Sequence, residues 1–380
     1  MRGSQISAAI VAALVGYGSS VAILVAAAAA VGATPAQTIS WLLAVSVAKA
    51  IGTAFLSTYA RIPLVLAWST PGVVLIAATT GIDMEEAVGA FLFAAVLIAL
   101  TGLIAPLEKL IARIPDSIAN AMLAGILFPF VVKLAPSAGL MPAVVVPMIM
   151  VFLVIRLRSP AWATLGALAL GLILAAFMGD LKAPTQFALP VPVLVWPRFD
   201  LGVVIGLGLP LYIVTMASQN LPGFAISRSF GYTPPVRLAL QTTGVLSAIA
   251  AFFGAHTINM AAITAAICMD ESTHPDRAQR WKTGLAYAAA WLILGLATPM
   301  VLAIVTDLPA ALLSAIVAIA LIGSLLGALQ TSFAQSQIAF PALMAFIVTA
   351  SGTAFAGIGA PFWGLAAGLA CLALTRATAK

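Results

Sequence analysis

Ile62-Pro-Leu-Val-Leu-Ala-Trp68, followed at once by Ser69-Thr-Pro-Gly72, interrupts an otherwise apolar stretch of chain. Pro63 brings no backbone donor, and Val65 and Trp68 favour extended geometry, so residues 62–68 read as a short extended piece. Ser69 or Thr70 then supplies an N-cap and Pro71 fits a first helical turn, which predicts a short helix running to about Thr80. A second interruption lies about half a chain away. Ile249-Ala-Ala-Phe-Phe-Gly-Ala255 precedes His256-Thr-Ile-Asn259, and a small-residue helix is expected from there to about Met269, with Thr257 as its cap and His256 as the counterpart of Ser69. Two helices broken at matching places put free N–H groups and positive dipole ends near the middle of a membrane, where an anion is held without a full protein charge. The alternative is that Ser69-Thr-Pro-Gly72 only kinks an ordinary span.

The surrounding composition makes the membrane the solvent. Of 380 residues, 63% are hydrophobic and 7% charged, against roughly a quarter charged in a soluble domain. Apolar runs reach the roughly 20 residues that cross a bilayer, and no hydrophilic stretch is long enough for a soluble domain. The expectation is an all-α polytopic protein with about fourteen spans, near residues 6–32, 36–58, 62–80, 84–105, 115–133, 137–156, 160–178, 199–221, 235–249, 250–268, 282–305, 308–330, 336–352 and 356–375. The third and tenth of these are the broken ones. The first run is too long for a signal-peptide core and reads as the first span.

Charge sets the expected orientation. With the N-terminus inside, the cytoplasmic face receives Arg2, Arg61, Lys109, Arg113, Arg156, Arg158, Arg228, Arg237, Arg277, Arg280, Lys282, Arg376 and Lys380, while only Lys133, Lys182 and Arg198 fall outside. That is the positive-inside pattern, with both termini cytoplasmic. The formal charge of +6 is scattered singly and forms no basic patch with interleaved aromatics, so no nucleic-acid partner is expected. Pro184, Pro190, Pro192 and Pro197 mark residues 184–198 as a linker between residues 1–183 and 199–380. Seven spans precede it, so the second half enters from the opposite side as an inverted repeat, a transporter hallmark.

Polar residues inside apolar spans are costly and concentrate where function or packing demands them. Thr215-Met-Ala-Ser-Gln-Asn220 offers Gln219 and Asn220, either to orient a substrate or to make interhelical hydrogen bonds. His256 is the one histidine at membrane depth and is read either as a proton carrier or as a satisfied packing residue. Lys49 stands alone in the second span, deep for a snorkelling lysine. Tyr17, Trp68, Phe252 and Phe253 lie near the crossing point in sequence terms and are candidates to wall an aromatic ligand, or to fill the core. Asp83, Asp116, Asp200 and Asp307 sit at or near span ends, so a proton carrier has to be His256, Lys49, an edge acid such as Asp116 or Asp307, or the substrate's own carboxyl group. Cys268 and Cys371 both sit in apolar segments and form neither a disulfide framework nor a metal motif, and no metal or cofactor is expected.

Ala67-Trp-Ser-Thr-Pro-Gly72, Pro190-Val-Pro-Val193 with Trp196-Pro197, the run from Leu209 to Phe224, and Phe253-Gly-Ala-His-Thr-Ile-Asn259 with Ala261-Ala-Ile-Thr-Ala-Ala266 together resemble the benzoate–proton symporter family of the BenE type, over nearly the whole chain. The resemblance implies the 7+7 inverted-repeat fold of uracil–proton symporters and sulfate transporters. A core domain of spans 1–4 and 8–11 would carry the site, and a gate domain of spans 5–7 and 12–14 would surround it. It also implies a bacterial inner-membrane location, proton-coupled uptake of benzoate or a related aromatic carboxylate, and a homodimer through the gate. The site would comprise Ser69, Thr70, Gly72, His256, Thr257 and Asn259, with Gln219, Asn220, Tyr17 and Trp68 nearby. Related nucleobase carriers use a glutamate in the eighth span, where this chain has Ser218-Gln219-Asn220, a departure that suits a carboxylate substrate.

Two other classes are weighed against a carrier. A channel needs a continuous polar pore, for which polar residues are too sparse. An intramembrane enzyme needs a catalytic constellation, and no His-Glu-x-x-His, Gly-x-Ser-x-Gly or acidic metal cluster is present.

Overall fold

The computed structural model describes residues 1–104, 114–179, 188–356 and 358–378. Lys109, Arg113, Lys182, Pro184 and Lys380, and with them part of the charge tally and the start of the linker, lie outside the described residues.

Helices dominate because in lipid every backbone polar group must find an internal partner. Among the described residues, seven helices are long and apolar enough to cross a membrane: Gly3–Ala30, Pro35–Ala60, Met84–Leu103, Asp116–Leu140, Leu201–Ser229, Ala310–Ser332 and Ala360–Ala377. An eighth crossing is bent by 57° between Arg277–Leu296 and Thr298–Asp307, where Pro299 removes a ladder donor. Four shorter apolar helices are Pro142–Arg156, Trp162–Phe177, Val236–Ala251 and Ser336–Ala350. The protein is therefore a multi-pass helical membrane protein.

At the centre, two short strands replace helix. β1 (Leu66–Trp68) and β2 (Ile258–Met260) pair antiparallel, with Leu66 opposite Met260 and Trp68 opposite Ile258. The ladder continues beyond both ends, through Ser69 N to Thr257 O and Ala261 N to Val65 O, each 3.1 Å. The N–H groups that open the strands are satisfied by hydroxyls of adjacent helices. Thr53 Oγ1 accepts from Leu66 N at 3.0 Å, and Ser247 Oγ accepts from Ile258 N at 2.9 Å. Each strand leads into a short helix, Thr70–Ala77 after β1 and Ile263–Met269 after β2.

The long helices cross around this pair in a reciprocal way. Pro35–Ala60, which precedes β1, packs on Trp281–Leu296, while Val236–Ala251, which precedes β2, packs on Met84–Leu103. Small residues bring these backbones close: a Cβ added at Gly244 would lie 2.4 Å from Ala99 N. A second group of helices packs among itself, with Asp116–Val131 against Ala310–Ser332 and Ala339–Ala350, and Pro142–Arg156 against Pro160–Phe177.

Several expected boundaries shift. The first span divides into Gly3–Gly18 and Val21–Ala30 around Ser19 and Ser20. The extended piece in the second half is residues 258–260, not 249–255; the latter continue the helix to Ala251 and then turn through Gly254, whose φ of +85° suits only glycine without strain. The eighth span runs unbroken to Ser229 but contains two π-helical turns, Val204–Gly208 and Met216–Asn220. Each is followed within two residues by a proline, Pro210 or Pro222, whose missing N–H interrupts the regular ladder.

Residues 188–200, which include the described part of the linker, form no regular helix or strand. Val193 and Ser40 bond each other, and Arg198 pairs with Asp83, Glu85 and Glu86 at the start of Met84–Leu103. Asp83 caps that helix, and the Glu86 N–H, with Arg198 beside it, holds its carboxyl below the usual carboxylate range. At the opposite end of the helices, Ser4 and Gln5 donate to the carbonyls of Thr273 and Gln279, beside Arg277 and Arg280.

Candidate functional site

Ser69 sits between β1 and its helix, where the chain turns from extended to helical. Its Oγ accepts from Gly72 N at 3.2 Å, so Ser69 and not Thr70 is the cap. Gly72 is there because the packing is tight: a Cβ would come within 2.5 Å of Leu211 Cδ1. Thr215, on the eighth span, donates to Ser69 Oγ at 2.9 Å and lies 3.0 Å from Thr257 Oγ1. These three hydroxyls are fully buried and tie the eighth span to both sides of the strand pair.

The second break differs from expectation. Its helix begins at Ile263 behind Ala262, which has no capping side chain, so Thr257 is not its cap. Thr257 instead extends the ladder, and the residue that follows β2, as Ser69 follows β1, is Ala261 and not His256. The far end of this short helix is held by Arg280, whose Nη1 donates to Met269 O at 3.0 Å, a cation at a C-terminal carbonyl where the dipole favours it.

His256 is fully buried. Trp41 Nε1 donates to its Nδ1 at 2.9 Å, which fixes the proton on Nε2, and that N–H has no hydrogen-bond partner. Asn220 secures β2 through Oδ1, which accepts from Met260 N at 2.9 Å. Asn259 donates to Met260 O at 2.7 Å and more weakly to Gln219 Oε1 at 3.4 Å, leaving its own buried Oδ1 unpaired. Ser218 Oγ is likewise unpaired. Thr70, Ser218, Gln219 and Ala262 remain partly accessible, so the approachable polar surface lies on the eighth span and at the starts of the two short helices.

Behind it is an aromatic cage around the Lys49 amine. Lys49 Nζ lies 2.8 Å from the Trp291 ring centroid and 4.1 Å from that of Trp68, with the residue 1% exposed. Tyr17 packs on both tryptophans, with centroids 5.8 and 5.7 Å away, and Tyr287 packs on Trp291 at 6.0 Å. Trp68 is itself anchored by its Nε1 donating to Ser20 Oγ at 3.1 Å. Snorkelling is therefore ruled out for Lys49.

The expected residues thus divide. Ser69, Thr257, His256, Asn259, Asn220 and Gln219 gather at the strand pair, and Tyr17, Trp68 and Lys49 form the cage next to it. Phe252 and Phe253 do not join the cage; Phe252 packs on Trp196 at 6.2 Å, next to the linker. Asp116 and Asp307 are exposed at helix ends, away from the buried cluster. Sequence reading missed Trp41, Trp291, Tyr287 and Thr215, although a polar or aromatic residue in an otherwise apolar span was a signal for each. Among the described residues no group of histidine, cysteine and acidic side chains forms a metal site. A cavity of about 130 Å³ opens at the other end of the first short helix, between Leu75, Thr79 and Gly206 on one side and Gly125, Pro129 and Thr349 on the other.

A polytopic helix bundle with a strand pair and polar groups buried at its centre defines a membrane transporter. Residues 1–374 match the family described as Benzoate membrane transport protein, and the chain belongs to that family. It is 36% identical over 366 residues to Inner membrane protein YdcO of Escherichia coli (strain K12), covering 96% of this chain and 94% of that one. It is 32% identical over 364 residues to the Benzoate membrane transport protein of Acinetobacter baylyi, covering 95% and 92%. In fold it resembles the transmembrane domain of a cyanobacterium bicarbonate transporter BicA (TM-score 0.62, 15% identity, 97% and 98% covered). It also resembles SLC26A9 (TM-score 0.61, 16% identity), covering 98% of this chain and 65% of that one. The matched family, the Acinetobacter relative and the bicarbonate transporter are described as transport proteins, not as enzymes. The expected likeness to uracil–proton symporters gains nothing from these structures.

Proposed function

We propose that the protein is a secondary active transporter that takes up benzoate or a related aromatic carboxylate together with protons, by alternating access in the bacterial inner membrane. The observation that carries this reading is the chemistry at the strand pair: Thr70 and Gln219 stay partly accessible there, Asn259 donates to Gln219, and no described carboxylate accompanies them, in a chain of the benzoate family. The donors of Thr70 and Gln219, with a buried lysine able to take up a proton close by, suit an anionic ligand, and a carboxylate in their place would repel one. Ser69, Thr257, Gly72 and Asn220 hold the backbone that presents the site, while Tyr17 and Trp68 offer apolar surface beside it.

The reading extends to architecture. Fourteen crossings result when the bent pair, the four shorter helices and the two strand-plus-helix segments each count as one beside the seven long helices. The reciprocal packing before and after β1 and β2 supports a 7+7 inverted repeat. The helices around the strand pair form the core and the remaining group forms the gate, with both termini cytoplasmic. Among carriers of this design the substrate travels by rigid movement of one body against the other.

Uptake of radiolabelled benzoate into proteoliposomes tests the proposal. Accumulation is expected with an inward proton gradient and only equilibration without it, and Thr70→Ala and Gln219→Ala should each raise the half-saturation concentration several-fold. Absence of benzoate uptake under either condition, with uptake of another class of solute, overturns it.

A further inference from the structure

Lys49 is a buried amine with no anion beside it. It lies near the middle of Pro35–Ala60, is 1% exposed, and has no carboxylate within ion-pair distance among the described residues, whose only ion pairs are those of Arg198. A lone buried ammonium is strongly disfavoured, and aromatic faces offset only part of that cost. The titratable groups around it are Tyr17 from the first helix, Tyr287 from Trp281–Leu296 with Cys268 of Ile263–Met269 beside that tyrosine, and His256 just before β2. None is an acid. The charged residues of the packed elements, Arg61, Arg237, Lys282 and Asp307, all stand at helix ends.

His256, the other buried titratable nitrogen, is poorly built to carry a proton. Imidazolium donates from both nitrogens, and the indole of Trp41 is a donor only, so a proton on Nδ1 would face the Trp41 N–H at 2.9 Å. The contact with Trp41 locks the ring in its neutral Nε2–H form.

The cage also reaches the substrate surface. Trp68, whose ring centroid is 4.1 Å from Lys49 Nζ, closes β1 and is followed directly by Ser69 and Thr70, so the cage adjoins the start of the first short helix.

Resting on the proposed carboxylate substrate, we propose that Lys49 carries the symported proton and that it takes it up as the carboxylate arrives. A proton from the outer solution binds the lone pair of the neutral amine, and the substrate anion supplies the counter-charge that the protein lacks. The carboxylate stays ionised. On the inner side anion and proton leave together, so one negative and one positive charge cross and transport is electroneutral.

The test combines binding with flux, using benzoate on the full chain. In weakly buffered detergent solution the wild type should take up about one proton per benzoate bound. Lys49→Arg, permanently charged, should still bind benzoate and exchange it across the membrane, with no proton uptake and at least a tenfold loss of gradient-driven accumulation. Lys49→Met should lose both binding and accumulation while eluting as a monodisperse protein. His256→Asn should retain proton uptake. In wild-type vesicles an imposed membrane potential without a pH gradient should drive no accumulation. If the wild type binds benzoate without proton uptake, or Lys49→Arg still accumulates it with the gradient, Lys49 is not the carrier and the substrate assignment survives. If the wild type binds no carboxylate, the substrate assignment falls and this inference falls with it.

Discussion

The indole N–H of Trp41 is aimed at Nδ1 of His256 from a helix 215 positions away in sequence, and both side chains are fully buried. Replacing Trp41 by Phe keeps most of the ring contact and removes the donor. A buried acceptor left unpaired costs about 1–3 kcal/mol, so Trp41→Phe should lower the thermal midpoint of the purified protein by several degrees. His256→Leu in the same background should cost less than in the wild type, because the partner is already gone; a double-mutant cycle in detergent reads the coupling.

Thr53 and Ser247 do the same job for the two strands. Thr53→Val and Ser247→Ala each orphan a strand N–H, and each should destabilise the protein by about 1–3 kcal/mol. Similar losses are expected at the two sites, measured by denaturant or thermal unfolding in one detergent.

Gln219→Glu tests the sign of the site. A fixed negative charge beside the proposed carboxylate position should weaken benzoate binding at least tenfold, whereas Gln219→Asn should be milder. Isothermal titration of the two variants separates charge from shape.

Gly206 faces the backbone of Gly359, with a Cβ position 2.8 Å from Gly359 N. Gly206→Val forces this contact apart. Uptake should fall at least tenfold while benzoate binding to solubilised protein changes little, the signature of hindered movement between two bodies and not of a damaged site.

Asp83 titrates low because the Glu86 amide, helped by Arg198, favours its charged form. A carboxylate lowered on folding adds stability above its unfolded value, roughly 4, and that contribution disappears as pH falls through the folded value. Arg198→Gln should therefore flatten the decline in thermal midpoint between about pH 5 and 3, and leave the midpoint at pH 7 only slightly lower because the pair is exposed.

Much of the fold and part of the site are legible in local chemistry. Ser69-Thr-Pro-Gly72 announces a helix start wherever it falls, and the break after β1 occurs within a residue of where those side chains put it. The second break was misread because Ala261-Ala262-Ile263 carries no capping side chain; its position is set by pairing with β1, a contact across nearly 200 residues that no local signal encodes. The cage around Lys49 escaped notice for the same reason. Trp291 and Tyr287 lie on a distant helix, and only the crossing of Trp281–Leu296 over Pro35–Ala60 brings them to the amine. The depth of Lys49 was readable from its place in the span, and its lack of an acid partner was not.

The strand pair also imposes an order on assembly. β1 comes from the first half of the chain and β2 from the second, and three rungs with two flanking bonds join them. While the second half is still being synthesised, β1 has one N–H satisfied by Thr53 and the remainder of its edge bare in a solvent that offers no hydrogen bonds. The nascent first half therefore waits in the membrane as an incomplete body, dependent on water, lipid headgroups or an insertion factor until residues 258–261 arrive. Cleaving the chain in the linker should yield two fragments that are each degraded alone and persist when made together.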